Sequence, residues 1–403
     1  MSPHAVISGA SIAGPALAHQ LNARGWRTTV LERAPQLREE GQNIDIRGVG
    51  REVCRRMGIE DAVLAAGTGE VGLRFVDDDG AAIAVFPAGE GDTNGGTAEA
   101  EILRGELSRI LYERTPDTDY RFGEQIAGIT EGDDGATVTL TGGDVLTADV
   151  VVLAEGTRSR TRDAVFTPAG ITPDITELGL YIAYLTIPRT ADDDQWWRWY
   201  SAVGSRSVSL RPDNLGTTRV FLSLLSNIRG LEALDRADQA AVLRRTFADA
   251  GWQTGRVLDR LDDAPYYFDA VAQVRMPRWS TGRTVLLGDA AWSPGPFGAG
   301  TTLALTGAYV LAGELRDGAD VRGAFDRYET TMRPFVDKAQ DIRPSVLRVM
   351  NPQSRAGRAV NRVAMRGMSA VVNSPLGGLL GKLTSPPVNT IELPDYDRPR
   401  SSR

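Results

Sequence analysis

Cysteine, histidine and lysine are almost missing from this chain of 403 residues. Cys54 is the single cysteine, which excludes an internal disulfide and a cysteine-based zinc site. His4 and His19 are the two histidines, both close to the N-terminus, and they argue against a histidine-centred hydrolase triad or a multi-histidine metal site. Lys338 and Lys382 are the only lysines, so arginine carries nearly all the positive charge. No apolar run approaches the roughly 20 residues that a membrane span needs. The N-terminus lacks the basic-then-apolar pattern of a signal peptide, and cytoplasm is the default expectation. A formal charge of -7 disfavours nucleic acid or an anionic membrane as the main partner. With so few nucleophiles and metal ligands, an enzyme of this composition would leave the chemistry to a bound cofactor. No catalytic side chain can be named.

What is present reads as globular. Hydrophobic residues make up 42% and charged residues 24%, ordinary values, and the length exceeds what one core usually supports. The first 33 residues read as one βαβ unit: the run HAVIS as a buried strand, GASIAG as a turn, a helix over residues 12 to 24, and RTTVLE as a second strand. A helix is expected near residues 49 to 57, a hairpin turning at Asp79-Gly80, a helix near 105 to 114, and a Gly-Gly hairpin followed by the apolar strand DVVVL. Residues 166 to 275 differ in texture, with alternating strand-like runs, many aromatics and one helical stretch near 231 to 249. RTVLLGDAAW returns to strand-then-turn and leads into a long helix of small residues. Residues 320 to 380 read as helices with arginine on one face and apolar residues on the other, and the last residues, DRPRSSR, as a disordered tail.

Three glycine turns follow three apolar strands. In the first, Gly9, Ser11 and Gly14 occupy the positions of a GxGxxG turn between strand and helix, and Glu32 ends the next strand. A dinucleotide site needs this arrangement: a tight turn at Gly9, close helix–strand approach at Gly14, and a helix N-terminus whose free N–H groups meet a pyrophosphate. Glu32 is placed to accept hydrogen bonds from a ribose, and Ala13 and Arg33 belong to the same candidate site. Serine stands at position 11, where the pattern has its second glycine. The other turns are AEGTRSRTR, carrying Glu155 and Gly156, and GDAAWSPGPFGAG, carrying Gly288 and Asp289. Taken alone, each carboxylate could equally be a strand-end group satisfied by neighbouring backbone. Arg47 and Arg158 could be solvated surface arginines. The cluster Trp196, Trp197, Trp199 and Tyr200 could stack on a planar substrate; the reading preferred is a sheet face buried against its neighbours, because four aromatics in five residues cannot all point one way. Cys54 is read as a packing residue.

In these three ordered segments the chain resembles the FAD-dependent monooxygenases of the p-hydroxybenzoate-hydroxylase fold, over most of its length and including the closing IELPDY. The resemblance implies an α/β fold: a Rossmann-like FAD-binding domain from residues 1–70, 98–165 and 276–340, an interleaved β-rich substrate domain from 71–97 and 166–275, and C-terminal helices and tail over 341–403. It implies that Asp289 holds the ribityl chain of FAD after the turn at Gly288. Pro294, Gly298, Ala299 and Gly300 would lie beside the flavin ring. Arg104 would sit near the phosphates or ribityl chain, and Arg47 is a further phosphate candidate. Family members usually have Asp-Gly where this chain has Glu155-Gly156, an added methylene in a positioned site. The Trp-x-Trp-x-Ile-Pro signature of related flavin halogenases fails at Trp197-Arg198-Trp199. Non-covalent FAD and NADPH or NADH are the implied cofactors, with a planar aromatic or polyketide-like small molecule and O2 as substrates. Oxygen transfer would proceed through a flavin C4a-hydroperoxide, in a monomer or homodimer. A reductase on the same fold, and a non-catalytic flavin-binding protein, are the alternatives.

Overall fold

The apolar run at the N-terminus forms β1, His4–Ser8, buried at every position in the computed structural model. The structure describes residues 2–38, 41–89, 96–132, 134–296, 299–316, 320–342, 344–374 and 392–396. The chain then turns at Gly9 into α1, Ala13–Asn22, and returns as β2, Arg27–Glu32, which pairs in parallel with β1, Ala5 opposite Thr28. On the other side of β1 lies Val150–Leu153, also parallel, with Ala5 opposite Val150, and beyond it Thr284–Leu286. Asp119–Phe122 extends the sheet past β2 and Ser280–Thr281 past Thr284–Leu286, giving six strands. Val150–Leu153, at the centre, is continuous Val and Leu, and its neighbour β1 is apolar from Ala5 to Ile7, as strands covered on both faces tend to be. Their order carries the consequence. The strands that precede the three glycine turns are adjacent and parallel, so all three turns emerge at the same edge.

The hairpins come out as read from the sequence. Gly72–Val76 and Ala82–Pro87 pair across the Asp79-Gly80 turn, and Ala136–Leu140 and Val145–Ala148 across Gly142-Gly143, the latter in a small sheet with Ile126–Glu131. The expected helices appear at Val49–Arg56 and Arg104–Glu113. Too short to announce themselves by periodicity were the helix Glu60–Ala65 and the strand pair Asn43–Asp45 with Glu101–Leu103. The segment after Thr284–Leu286 is also less simple than one long helix: a single turn, Asp289–Trp292, breaks at Ser293-Pro294 before Ala299–Glu314 begins.

A second, seven-stranded sheet gathers Gly72–Val76 and Ala82–Pro87 with Asp174–Pro188, Trp197–Ala202, Arg206–Pro212, Thr217–Leu225 and Tyr266–Arg275. Its outer face, including Tyr181, Ala183, Leu210, Leu222 and Phe268, forms one core with Leu243 and Phe247 of the helix Arg236–Phe247. That core is separate from the one around the six-stranded sheet. Arg211 joins the two halves. It is 4% exposed and donates through Nε and Nη2 to both oxygens of Glu70 at 2.9 and 3.0 Å, and through Nη2 to Glu101 at 3.0 Å. Burial pushes both carboxyls above the ordinary range, and Arg211 opposes that.

The C-terminal helices Val321–Gln340, Pro344–Met350 and Arg355–Val372 close the described chain apart from residues 392–396. Hydrophobicity alone would turn the valine face of Arg355–Val372 inward. The reverse is found: Val360 and Val363 are exposed, while Arg358 and Arg362 bind Asp78 and Ser369 exchanges hydrogen bonds with the backbone of Val85. Met365 is the apolar anchor, packed with Phe75 and Phe86. The tail DRPRSSR lies outside the described residues.

Candidate functional site

The ladder of the six-stranded sheet runs unbroken into the glycine turns. Gly9 N–H donates to Leu31 O at 2.8 Å, Ala154 N–H to Ser8 O at 2.8 Å, and Leu287 N–H to Leu153 O at 3.0 Å. Gly9 has φ +115°, and a Cβ there would lie 2.3 Å from the Ala154 carbonyl oxygen, so the first two turns touch backbone to backbone. A Cβ on Gly14 would lie 2.0 Å from Gly9 O, which is the close helix–strand approach read from the spacing. Gly288, at φ +66°, brings the third turn against the first: its Cβ would meet that of Ala13 at 3.2 Å. Ser11 has negative φ and therefore needs no glycine; its carbonyl accepts from Ser108 Oγ at 2.8 Å.

Around this junction the charged side chains fall into two kinds. The first kind is already paired. Glu32 is 6% exposed, and its two oxygens accept from Ala10 N–H and Ala34 N–H, both at 3.0 Å, so its carboxylate braces the glycine turn itself. Glu155 accepts from three hydroxyls: Ser8 at 2.5 Å, Ser159 at 2.6 Å and Thr161 at 2.8 Å. The added methylene thus carries its carboxylate across to β1. Arg162 is 0% exposed and ties the second turn to the third, its Nη1 donating to Thr157 O at 3.0 Å and Ala290 O at 3.2 Å. Arg47 is half-buried and bonds Asp45 at 3.2 Å, and Arg158 bonds Asp269 at 2.6 Å, so neither is merely solvated.

Arg104 and Asp289 are the second kind. Both are exposed, yet Asp289 stands between buried Gly288 and Ala290, and Arg104 between buried Leu103 and Gly105. Protein surrounds both: burial raises the Asp289 carboxyl to about 6 against the pull of Arg104, and burial lowers Arg104. Among the described residues neither side chain makes a hydrogen bond or ion pair, although each feels the other's charge. Exposed area inside an enclosing shell means that both line a cleft. Ala299 and Gly300 start the helix Ala299–Glu314 at the same spot, where a Cβ on Gly300 would lie 3.7 Å from Asp289 Oδ1 and 3.8 Å from Pro294. Gly156 follows Glu155, its carbonyl accepting from Ser159 N–H at 3.2 Å. Arg33 is exposed beyond the end of β2. Gly298 lies outside the described residues.

Sequence reasoning left the aromatic cluster between a substrate-stacking face and a buried sheet face. Trp197 and Trp199 point inward and Tyr200 outward, so the aromatic cluster splits by the two-residue period of a strand and is not wholly core. Tyr184 and Tyr267 share that inner face, and both feel the charge of Arg104. Neither histidine is at the site: His4 begins β1, at the opposite end from the turns, with its ring held by Thr147 O at 2.6 Å and Thr29 Oγ1 at 2.9 Å, and His19 sits in the last turn of α1. Cys54 is 1% exposed packing. Among the described residues no helix is long and apolar enough to cross a membrane.

A dinucleotide bearing a sugar-alcohol arm fits this geometry: a helix start for its phosphates, glycine-tight turns around it, and a free cation and a free carboxylate facing the same cleft. Comparison with known proteins agrees. A family model described as an FAD binding domain matches residues 3–342. A flavin-dependent monooxygenase of Phoma sp is 35% identical over 97% of each chain, and an FAD-dependent monooxygenase of Sarocladium schorii 32% identical over 98% of each. The crystal structure of tetracycline destructase Tet(55) superposes with a TM-score of 0.80 at 32% identity, covering 98% of this chain and 99% of that one. Klebsiella pneumoniae HpxO complexed with FAD and uric acid shares the fold at a TM-score of 0.72 and 22% identity, covering 94% of this chain and 97% of that one. The chain thus belongs to the FAD-dependent monooxygenases.

Proposed function

We propose that this enzyme uses NADPH or NADH and O2 to insert one oxygen atom into a planar phenolic or polyketide-like small molecule, the second oxygen leaving as water. Bound FAD supplies the redox chemistry, taking two electrons from the nicotinamide and delivering one oxygen atom. The protein's task is to hold, orient and keep water out. The half built on the six-stranded sheet would carry FAD, and the seven-stranded sheet would carry substrate.

Within that reading, the N–H groups of Ser11, Ala13 and Gly14 at the start of α1 take the pyrophosphate, and Glu32 reaches the adenosine ribose, with Arg33 beside it. Asp289 accepts from the ribityl hydroxyls, and Arg104 neutralises phosphate. Pro294, Ala299 and Gly300 present a helix start to the ring, whose positive end favours negative charge on the reduced flavin. Glu155 and Gly156 keep the second turn in place, and Arg47 is a further phosphate contact. The observation that carries the assignment is the pairless exposure of Arg104 and Asp289 where three glycine turns meet. An acidic group and a basic group left facing one cleft call for a ligand with both hydroxyls and phosphates.

The decisive experiment is a flavin absorbance spectrum of the purified protein, followed by NAD(P)H oxidation across a panel of phenols and polyketides with mass detection of products 16 units heavier. Tetracycline belongs in the panel because Tet(55), at 32% identity, is named for its destruction. Substrate-stimulated NAD(P)H oxidation with an oxygenated product is the expected result. Turnover that persists without O2 would make the enzyme a reductase, and a protein that takes up no FAD would end the reading.

A further inference from the structure

The helix Arg355–Val372 is built inside out. Its inward face bonds Asp78 through Arg358 and Arg362 and the backbone of Val85 through Ser369, and Met365 is its one buried apolar side chain. Its outward face carries no polar group. Ala356, Val360, Val363, Gly367 and Val371 recur at helical spacing and stand in one line, flanked by Ala359, Ala364 and Ala370. Val360, Val363 and Val371 are 69%, 68% and 46% exposed, and a Cβ added to Gly367 would meet nothing within 4 Å. The apolar stripe of a surface helix ordinarily faces the core. Here it faces out over nearly the whole length of the helix.

The helix Pro344–Met350 widens this surface. Asn361 Nδ2 donates to Val349 O at 2.9 Å, which sets the two helices side by side. Leu347 of the shorter helix turns inward and leaves Val346 and Val349 42% and 48% exposed. With Met368 and the stripe, they make an apolar patch of roughly 600 Å², the upper end of what a soluble monomer carries. Two such patches face to face bury about 1,200 Å² in total, where specific protein interfaces begin. Lipid is a poorer match. Asp78 engages Arg358 and Arg362, so few cationic side chains are left to flank the stripe at a headgroup surface, and the chain carries a formal charge of -7.

We propose that this patch joins two copies of the chain, with Arg355–Val372 of each packed antiparallel about a two-fold axis near Val363 and Ala364. A two-fold contact must be self-complementary, and an unbroken line of Val, Ala and Gly meets that demand in either direction. Its small side chains let the helix axes approach to the close end of the usual 8–10 Å. The remaining charges suit the same arrangement. Arg355, at one end of the helix, falls beside the last turn of the other copy's helix, whose free carbonyls favour a cation. Arg366, near the middle, is offset from its own counterpart, so no arginine meets an arginine.

Sedimentation equilibrium of the FAD-loaded protein at micromolar concentration should return twice the mass of one chain. Val363→Glu sets a charge in the middle of the stripe and should return the single-chain mass. Flavin absorbance and far-UV circular dichroism should stay unchanged, because the valine it replaces is already exposed. Leu215→Glu puts the same charge on an exposed apolar residue between Arg206–Pro212 and Thr217–Leu225, and that variant should remain dimeric. Val363→Cys should cross-link to its own copy under a mild oxidant, since the pairing brings the middle of the stripe onto itself. The wild type should not, because Cys54 is buried. A wild type of single-chain mass overturns the proposal, as does a dimer that survives Val363→Glu. A dimer in which Val363→Cys fails to cross-link overturns the antiparallel arrangement. A single chain that floats with vesicles of anionic lipid overturns it too, and gives the patch to a membrane surface.

Discussion

At the scale of single residues the site is built from close approaches and unbalanced charges, and both make predictions. Gly14→Ala places a methyl group 2.0 Å from Gly9 O, so α1 must slide off β1. Overpacking of this kind costs about 1–3 kcal/mol. The expected outcome is a lower Tm together with weaker FAD binding, because the same helix start is to hold the phosphates. Asp289 gives a pH signature in the FAD-free protein. Burial raises its folded carboxyl to about 6, with Arg104 pulling the other way. The folded state therefore holds this proton more tightly than the unfolded chain. The stabilisation is complete below the ordinary carboxyl range of about 4 and is lost as pH rises through about 6. Asp289→Asn should unfold at a higher temperature than the wild type above pH 6, with the gap narrowing toward acid, and should lose FAD. A gap that widens on acidification would refute the assignment. The close approach at Gly14 was legible from the spacing of its turn, whereas the role of Asp289 came only from the resemblance to the family. Glu155 was only half legible: sequence shows the added methylene, but the hydroxyl of Ser8 comes from 147 residues upstream and is brought in by strand pairing. Nor does sequence distinguish Arg162, wholly buried, from the arginine at 158.

Elements follow a similar division. Segments bounded by clear signals, such as β1 before its glycine turn, α1 and the Asp79-Gly80 hairpin, announce themselves, whereas a three-residue strand pair such as Asn43–Asp45 with Glu101–Leu103 exists only through its partners. The helix Arg355–Val372 shows how amphipathicity misleads. Its spacing was readable, but the face that docks is the one with arginine, Met365 and Ser369, because the sheet edge offers Asp78 and the free backbone of Val85. Burial alone would raise the Asp78 carboxyl. Hydrogen bonds from Tyr200, Arg358 and Arg362 outweigh it and hold the carboxyl at about 2. Helix docking through this group is complete above about pH 4 and fades as pH falls toward 2. Because Asp78 keeps 49% of its side chain exposed, each contact is modest. Asp78→Asn at neutral pH should speed amide hydrogen exchange in Arg355–Val372 several-fold and leave β1 and β2 unaffected. Unchanged exchange in the helix would mean that Met365 and the Ser369 clamp suffice without the ion pairs.

For the whole molecule the question is what makes two cores behave as one protein. The change of texture at residue 166 pointed to two halves, but not to their joint, since Arg211 and Glu70 stand 141 residues apart and neither belongs to a motif. The joint is asymmetric: one guanidinium serves two buried carboxylates, and Asp45 adds a third acidic group 3.8 Å away. Removing the shared cation and removing one of the competing anions should therefore differ sharply. Arg211→Met strands Glu70 and Glu101 in a low-dielectric interior, and breaking a buried pair from one side costs about 3–5 kcal/mol. Glu101→Gln leaves Arg211 fully paired with Glu70, keeps an acceptor for Thr68, and removes the repulsion between the two carboxylates. It should be close to neutral. Urea unfolding followed by tryptophan fluorescence measures both. The wild type and Glu101→Gln should unfold in one transition, and Arg211→Met in two, as the cores separate. A loss for Glu101→Gln as large as that for Arg211→Met would show that the carboxylate pair, rather than the guanidinium between them, holds the halves together.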